Sequence, residues 1–155
     1  MARGLTVSER AAWRAWITAA SVVPDLLGRD LQTAHGITLA DYDILVHLSE
    51  ATNGELRMSE LARRTLVSRS RLTHQIDRME AAGYVERRDC YRDGRGLLAV
   101  LTESGRDLLR SASQTHSASI RRHVVDLLSR EELACLGAAS AKLVEGASTD
   151  AAVSL

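Results

Sequence analysis

Hydrogen-bonding and cationic side chains are concentrated along residues 68–82. Leu72, Ile76 and Met79 follow helical spacing and are expected to face a core, so the other side of the helix displays polar groups. At about 100° per residue, that side carries Ser70, Arg71, Thr73, His74, Asp77 and Arg78. These donors, acceptors and cations can bind base edges and neighbouring phosphates. For this helix alone, a solvated polar face is an equal alternative.

A second group of cations lies in a predicted β-hairpin. Residues 84–88 and 97–101 have strand character, and residues 93–96 form a flexible loop tip. Arg88, Arg92 and Arg95 lie in this hairpin, and an extended arginine at its tip can enter a narrow minor groove. Over residues 57–75, five Arg accompany one acid, which creates a positive face suited to phosphate contact. Combined, these features favour nucleic-acid binding over a solvated helical bundle.

The cysteines, the histidines and the sequence motifs give weaker indications of function than the basic segments do. Cys90 is a candidate redox sensor, because we expect it to be exposed beside Arg87, Arg88 and Arg92, whose charges favour the thiolate; an incidental thiol is the alternative. His116 and His123 lack the i, i+4 spacing of a helical chelate, so no metal is expected. The sequence has no phosphate-loop, dinucleotide or nucleophile-elbow motif. We therefore expect no cofactor and no catalytic residues, and a protein that is not an enzyme.

Helix-capping residues divide the chain into six helices. The first runs from Thr6 to about Gly36, with a bend or local opening expected at Pro24, and the second ends near Gly54. A turn at residues 65–67 separates the two short helices that follow, and the fifth helix reaches about residue 128. The six starts are predicted at Thr6, Thr38, Ser59, Ser68, Thr102 and Ser129.

Composition agrees with a compact helical protein. The 155 residues are 45% hydrophobic and 26% charged, and only 3% are aromatic, which favours aliphatic helix packing. Formal net charge is zero, but residues 1–50, 51–96 and 97–155 carry −2, +3 and −1. No signal peptide or apolar membrane span is evident, so a cytoplasmic location without membrane contact, and reduced cysteines, are expected.

Several ordered motifs resemble the MarR family of winged helix-turn-helix regulators over residues 9–146. They are Leu56–Ala62, Ser68–Thr73, Asp77–Arg87, Asp93–Arg95 and Leu101–Gly105. The resemblance implies a mainly α, α+β winged-helix fold with six helices and a two-stranded wing. It also implies a homodimer formed by N- and C-terminal helices, with residues 1–36 and 102–155 for dimerisation and 37–101 for DNA binding.

By this resemblance, each subunit reads half of a pseudopalindromic double-stranded DNA operator, and the protein is a repressor. The recognition helix would contribute Ser68, Arg69, Ser70, Arg71, Thr73, His74 and Arg78, and the wing Arg88, Arg92, Asp93 and Arg95. Arg95 would be the wing-tip arginine and Asp93 the acid that holds the wing in shape. His74 departs from the arginine often found at its position.

Relatives of this kind often release DNA on binding a small, commonly phenolic, effector. The candidate pocket residues are Trp13, Trp16, His35, Tyr42 and His47, with core or interface packing of the aromatic residues as the alternative. Two further alternatives remain for function. Oxidation of Cys90 could be the signal, or the winged helix could bind an acidic protein instead of DNA.

Overall fold

The computed structural model describes the backbone of residues 3–90 and 96–153, and the side chains as far as residue 147 within those ranges. The described residues form six α-helices, as the sequence predicts, and a small sheet. The helices are α1 (Val7–His35), α2 (Leu39–Glu50), α3 (Met58–Arg64), α4 (Arg69–Ala81), α5 (Glu103–His123) and α6 (Arg130–Val153). The strands are β1 (Glu55–Arg57), β2 (Val85–Asp89) and β3 (Leu97–Leu101).

Five of the six predicted helix starts are confirmed by capping contacts. Thr6 and Glu9, Thr38 and Asp41, and Ser129 and Glu132 form reciprocal capping boxes. Single caps begin α4 and α5, where the side chains of Ser68 and Thr102 accept backbone hydrogen bonds.

The predicted cap at Ser59 is wrong. Arg57 is the N-cap of α3, without a side-chain cap bond, because strand β1 continues directly into this helix.

Helix α1 remains α-helical through Pro24, so the expected local opening does not occur. Pro24 removes one amide donor, but long helical segments on both sides hold the backbone in place. Helix α2 ends at Glu50, earlier than predicted, and a 3₁₀ turn over Thr52–Gly54 follows it. Helix α5 likewise stops at His123, because Val124 leaves the helical region at φ −135°.

The wing sheet has three strands, one more than the sequence analysis expected. Its order is β1-β3-β2, with antiparallel pairing of Glu55 with Val100 and of Arg87 with Ala99. Thr102 then fastens the start of α5 to this sheet, since its hydroxyl donates to the Gly83 carbonyl at 2.7 Å and its amide donates to Tyr84. The wing sheet is therefore attached directly to the start of α5.

The core joins the C-terminal part of α1, helices α2 to α5 and the sheet. Its fully buried members are aliphatic and include Leu45, Leu61, Leu72, Ile76 and Val85. By contrast, residues 3–22 and 129–147 are exposed throughout, although they carry Trp13, Trp16, Leu133, Leu136 and Leu143. Among the described residues, no helix is both long and apolar enough to cross a bilayer.

Candidate nucleic-acid interface

Helix α4 presents the predicted polar face to solvent. The Ser68 hydroxyl accepts the Arg71 amide at 3.3 Å, which fixes the start of the helix. Leu72, Gln75, Ile76 and Met79 are buried and hold its inner side against the core. All seven residues predicted for the recognition helix are exposed: Ser68, Arg69, Ser70, Arg71, Thr73, His74 and Arg78.

Positive charge on this face is strongest at the start of α4. Arg69 and Arg71 form no ion pair within the described part of the chain. Arg78 lies farther along and its Nη2 contacts Asp41 Oδ1 at 3.2 Å, so its charge is partly offset. His74 lies 3.9 Å from Asp77 across one helical turn. The charges available to a phosphate are thus those of the first turn.

A polar depression extends this surface towards the start of α2. Its volume is about 500 Å³, and its walls come from Thr38 and Ala40 on one side and from α4 on the other. The α4 lining consists of Ser68, Ser70, Arg71, His74, Gln75 and Arg78. The depression therefore makes the exposed face of α4 part of a wider concave polar surface.

Helix α3 lies beside this surface, and its two arginines share the single carboxylate of Glu60, which offsets one of their two positive charges. Arg63 donates to both carboxylate oxygens of Glu60, and Arg64 Nε donates to Glu60 at 2.7 Å. Hydrogen bonds from Arg64, and then from Arg63, lower the pKa of Glu60 below its usual value. The five-arginine count over residues 57–75 thus overstates the free positive charge of this segment.

The described part of the wing contains one of its four predicted contact residues. Arg88 is exposed on β2 and pairs with Glu86 in the same strand. Arg92, Asp93 and Arg95 lie outside the described residues.

Arg87 has a role that the sequence analysis missed. Its position in the sequence places it among the cations around Cys90, but its guanidinium contacts Asp77 at 2.7 Å and Glu80 at 2.5 Å, both on α4. Burial by itself would lower the pKa of Arg87, but the hydrogen bonds that it donates to Asp77 and Glu80 outweigh this effect, and the pKa is raised. The signal available in the sequence was the pair of acids three residues apart on the helix that precedes the strand.

Cys90 is buried, contrary to the expectation of an exposed thiol. Its side chain is 7% exposed, and its backbone amide donates to Gly96 at 2.9 Å across the hairpin. The guanidinium of Arg87, expected beside Cys90, is instead bound to Asp77 and Glu80 on α4. A buried thiol is a poor target for oxidants, so these contacts weigh against Cys90 as a sensor.

The five candidate pocket residues do not come together within one chain. Trp13 and Trp16 contact each other, with ring centroids 5.2 Å apart, on the exposed part of α1. Trp16 and His35 are separated by about 28 Å along the helix at 1.5 Å per residue. His47 pairs with Asp43 at 3.7 Å and lies about 140° around α2 from Tyr42.

His35 and Tyr42 instead face α5. The His35 ring contacts the Thr115 hydroxyl at 2.8 Å, and the Tyr42 hydroxyl contacts Ser113 at 3.2 Å. The His116 ring contacts that of Tyr42 at a tilt of 42°, with centroids 4.5 Å apart, and its buried Nδ1 has no hydrogen-bond partner within the described residues. We call these five residues the α5 seam. Burial lowers the pKa of His116, so the neutral ring is favoured there.

Comparison with known proteins agrees with this geometry. Residues 35–96 match the model of the MarR family. The chain is 44% identical to AbsC, a MarR family transcriptional regulator from Streptomyces coelicolor, over 96% of this chain and 99% of that one, with a TM-score of 0.88. It is 39% identical to Sco3205, a MarR family regulator of the same organism solved in complex with DNA, over 94% and 91% of the two chains, with a TM-score of 0.89.

A curated relative is matched over a shorter region. The transcriptional activatory protein BadR of Rhodopseudomonas palustris is 39% identical over 83 residues, which are 52% of this chain and 47% of BadR. The chain spans about half the length of the curated relatives it matches. The end-to-end match to AbsC, together with the six helices and the winged unit, shows that the chain belongs to the MarR family of transcriptional regulators.

Proposed function

We propose that this protein is a homodimeric, sequence-specific regulator that binds double-stranded DNA through α4. The observation that carries the proposal is the exposed α4 face, where Arg69 and Arg71 are unpaired among the described residues beside Ser70, Thr73 and His74. A helix of this kind fits the major groove, where arginine binds guanine edges and hydroxyls bind several bases. The structure of Sco3205 with DNA supports the same use of the fold here.

The wing is proposed to bind the adjacent minor groove. Arg88 is exposed on β2. The resemblance to the family implies that Arg95 is the wing-tip arginine and Asp93 the acid that holds the wing in shape, and Arg92 is proposed as a further contact. Arginine is favoured in a narrow minor groove because the negative potential is enhanced there.

Dimerisation is supported by two exposed helical segments that carry large apolar side chains. On α6, Leu133, Leu136, Leu143 and Val144 are all exposed, and an isolated helix of this kind gains little stability in water. On α1, Trp13, Trp16 and Ile17 are exposed, and an apolar groove of about 590 Å³ lies between α1 and Leu127. A second copy of the chain would cover both surfaces.

Two-fold symmetry makes the expected DNA site a pseudopalindrome. Its half-sites would lie about one helical turn, or 34 Å, apart. Selection of bound duplexes from a random pool tests the proposal directly. We expect an enriched inverted repeat with this spacing. Absence of enrichment by a folded dimer would contradict DNA recognition and favour a winged helix that binds an acidic protein.

We infer repression as the regulatory outcome, because a dimer bound to an operator obstructs the polymerase. A reporter placed behind the selected duplex should be expressed more strongly when the regulator is absent. Weaker expression without the regulator would contradict repression and indicate an activator, as the name of BadR indicates for that protein.

A small, weakly acidic aromatic molecule is proposed as the effector, with the α5 seam as part of its site. The Nδ1 of His116, which has no hydrogen-bond partner among the described residues, and the hydroxyls of Tyr42 and Ser113 supply polar contacts beside an aromatic face. Titration of phenolic acids into the protein bound to the selected duplex should release DNA. Tyr42→Phe should weaken the response, and release at unchanged concentrations in this variant would place the effector elsewhere.

A further inference from the structure

We propose that Arg87 is a positioning residue that fixes the wing sheet against α4 and thereby sets the placement of the two DNA-reading elements relative to each other. The inference rests on the proposed DNA-binding function. It assigns Arg87, Glu80 and Asp77 a part in that function which does not require them to touch DNA. We call these three residues the α4–wing clamp.

The clamp joins β2 to two successive turns of α4. The Arg87 guanidinium donates to Glu80 Oε2, to Asp77 Oδ1 and, at 3.2 Å, to the Thr73 carbonyl. The Arg87 amide also donates to Glu80 Oε1 at 2.8 Å, so both oxygens of this carboxylate are used by one residue. Because several contacts act in different directions, they restrict rotation as well as separation of the two elements.

Arg87 is much less exposed than Arg78, which belongs to the predicted recognition helix. Its side chain is 18% exposed, whereas that of Arg78 is 62% exposed. Two carboxylates already neutralise its charge, so moving it to a phosphate would remove the guanidinium partner of both acids. A direct role in binding the DNA backbone is therefore disfavoured for this residue.

Asp77 and Glu80 are acidic residues beside a surface that is proposed to bind the negatively charged DNA. Asp77 is exposed on the polar side of α4, and a carboxylate there repels phosphate. If charge alone determined affinity, removing either acid would strengthen DNA binding. If the clamp positions the wing, removing Glu80 would weaken specific binding even though the protein becomes more positive.

The two explanations predict opposite changes in DNA affinity when Glu80 is removed, so one experiment distinguishes them. The probes are the duplex enriched by selection and a scrambled duplex of equal length and composition, with affinity measured by fluorescence anisotropy. Glu80→Ala is compared with Glu86→Ala, which removes an acid of similar exposure that pairs with Arg88 inside the wing. Thermal melting of each variant identifies a temperature at which all of them are folded.

We expect Glu80→Ala to weaken binding of the selected duplex by about three- to tenfold, as for the loss of charge-assisted hydrogen bonds. Binding of the scrambled duplex should stay equal or become tighter, and Glu86→Ala should weaken neither. Asp77→Asn, a milder change, should also reduce the preference for the selected duplex over the scrambled one. Equal or tighter binding of the selected duplex by Glu80→Ala, or equal weakening on both duplexes, would overturn the proposal. A wild-type protein that does not distinguish the duplexes would instead overturn the proposed function.

Discussion

At the scale of single residues, Leu66 is held in a backbone conformation that leucine disfavours. It lies in the turn between α3 and α4 with φ 55°, and its side chain is 91% exposed. Leu66→Gly should stabilise the protein by about 0.5–1 kcal/mol, because glycine removes the left-handed strain at some entropic cost. Urea unfolding measures the change. Leu66→Ala keeps the strain and serves as the control; equal stability of the Gly and Ala variants would contradict this prediction.

His116 predicts a pH dependence of stability. Burial lowers its pKa below the usual 6.5, so the unfolded chain binds the proton more readily than the folded one. Its contribution is fully present above pH 6.5 and is lost as the pH falls through the lowered folded value. The unfolding free energy should therefore decrease between pH 7 and pH 5.5. His116→Gln should reduce that decrease, and an unchanged slope in this variant would exclude His116 as its source.

At the scale of elements, the start of α5 depends on a close approach to the wing. A Cβ atom at Gly105 would lie 2.2 Å from the Tyr84 carbonyl oxygen and 2.7 Å from Leu101 Cδ1. Gly105→Ala should therefore destabilise the protein by about 1–3 kcal/mol or more, because backbone atoms must move. Ser104→Ala, at the neighbouring exposed position, should have little effect. Equal melting temperatures of the two variants would show that the backbone around Tyr84 accommodates a Cβ atom at residue 105 without loss of stability.

Helix starts were predictable because capping is local. Thr6, Thr38, Thr102 and Ser129 contact backbone groups within three residues, so the sequence contains the whole motif. Strand β1 was not predictable. It is three residues long, and Glu55 pairs with Val100, far along the chain. Such a short strand forms because the edge of β3 is available for pairing, and the sequence pattern around residues 55–57 contains no information about that edge.

In the candidate site, too, the features set by local sequence were predictable and those set by packing between distant segments were not. Exposure of the α4 face follows from the spacing of Leu72, Ile76 and Met79, and the structure confirms it. The α4–wing clamp depends on how β2 packs against α4, so Arg87 was misassigned. Trp13 and Trp16 were grouped with His35 by residue type, although the length of α1 separates them.

At the scale of the whole molecule, the exposed apolar surface predicts a dimer that depends on α6. Wild-type protein should scatter light with twice the 16.9 kDa chain mass. Leu136→Glu should shift it towards one chain mass, because it places a charge within the exposed apolar stripe of α6. Leu66→Glu makes the same exchange in the turn before α4 and should remain dimeric. A wild-type monomer at micromolar concentration would contradict the dimer.

DNA binding by the first turn of α4 is the central claim, and one titration tests it. Affinity for the selected duplex would be measured against salt concentration for wild type, Arg71→Gln and the control Arg110→Gln, which removes an exposed α5 cation paired with Asp107. We expect Arg71→Gln to lose about 1–3 kcal/mol of binding free energy, while Arg110→Gln matches wild type. If Arg71→Gln bound the duplex with wild-type affinity and salt dependence, α4 would not be the DNA-reading element.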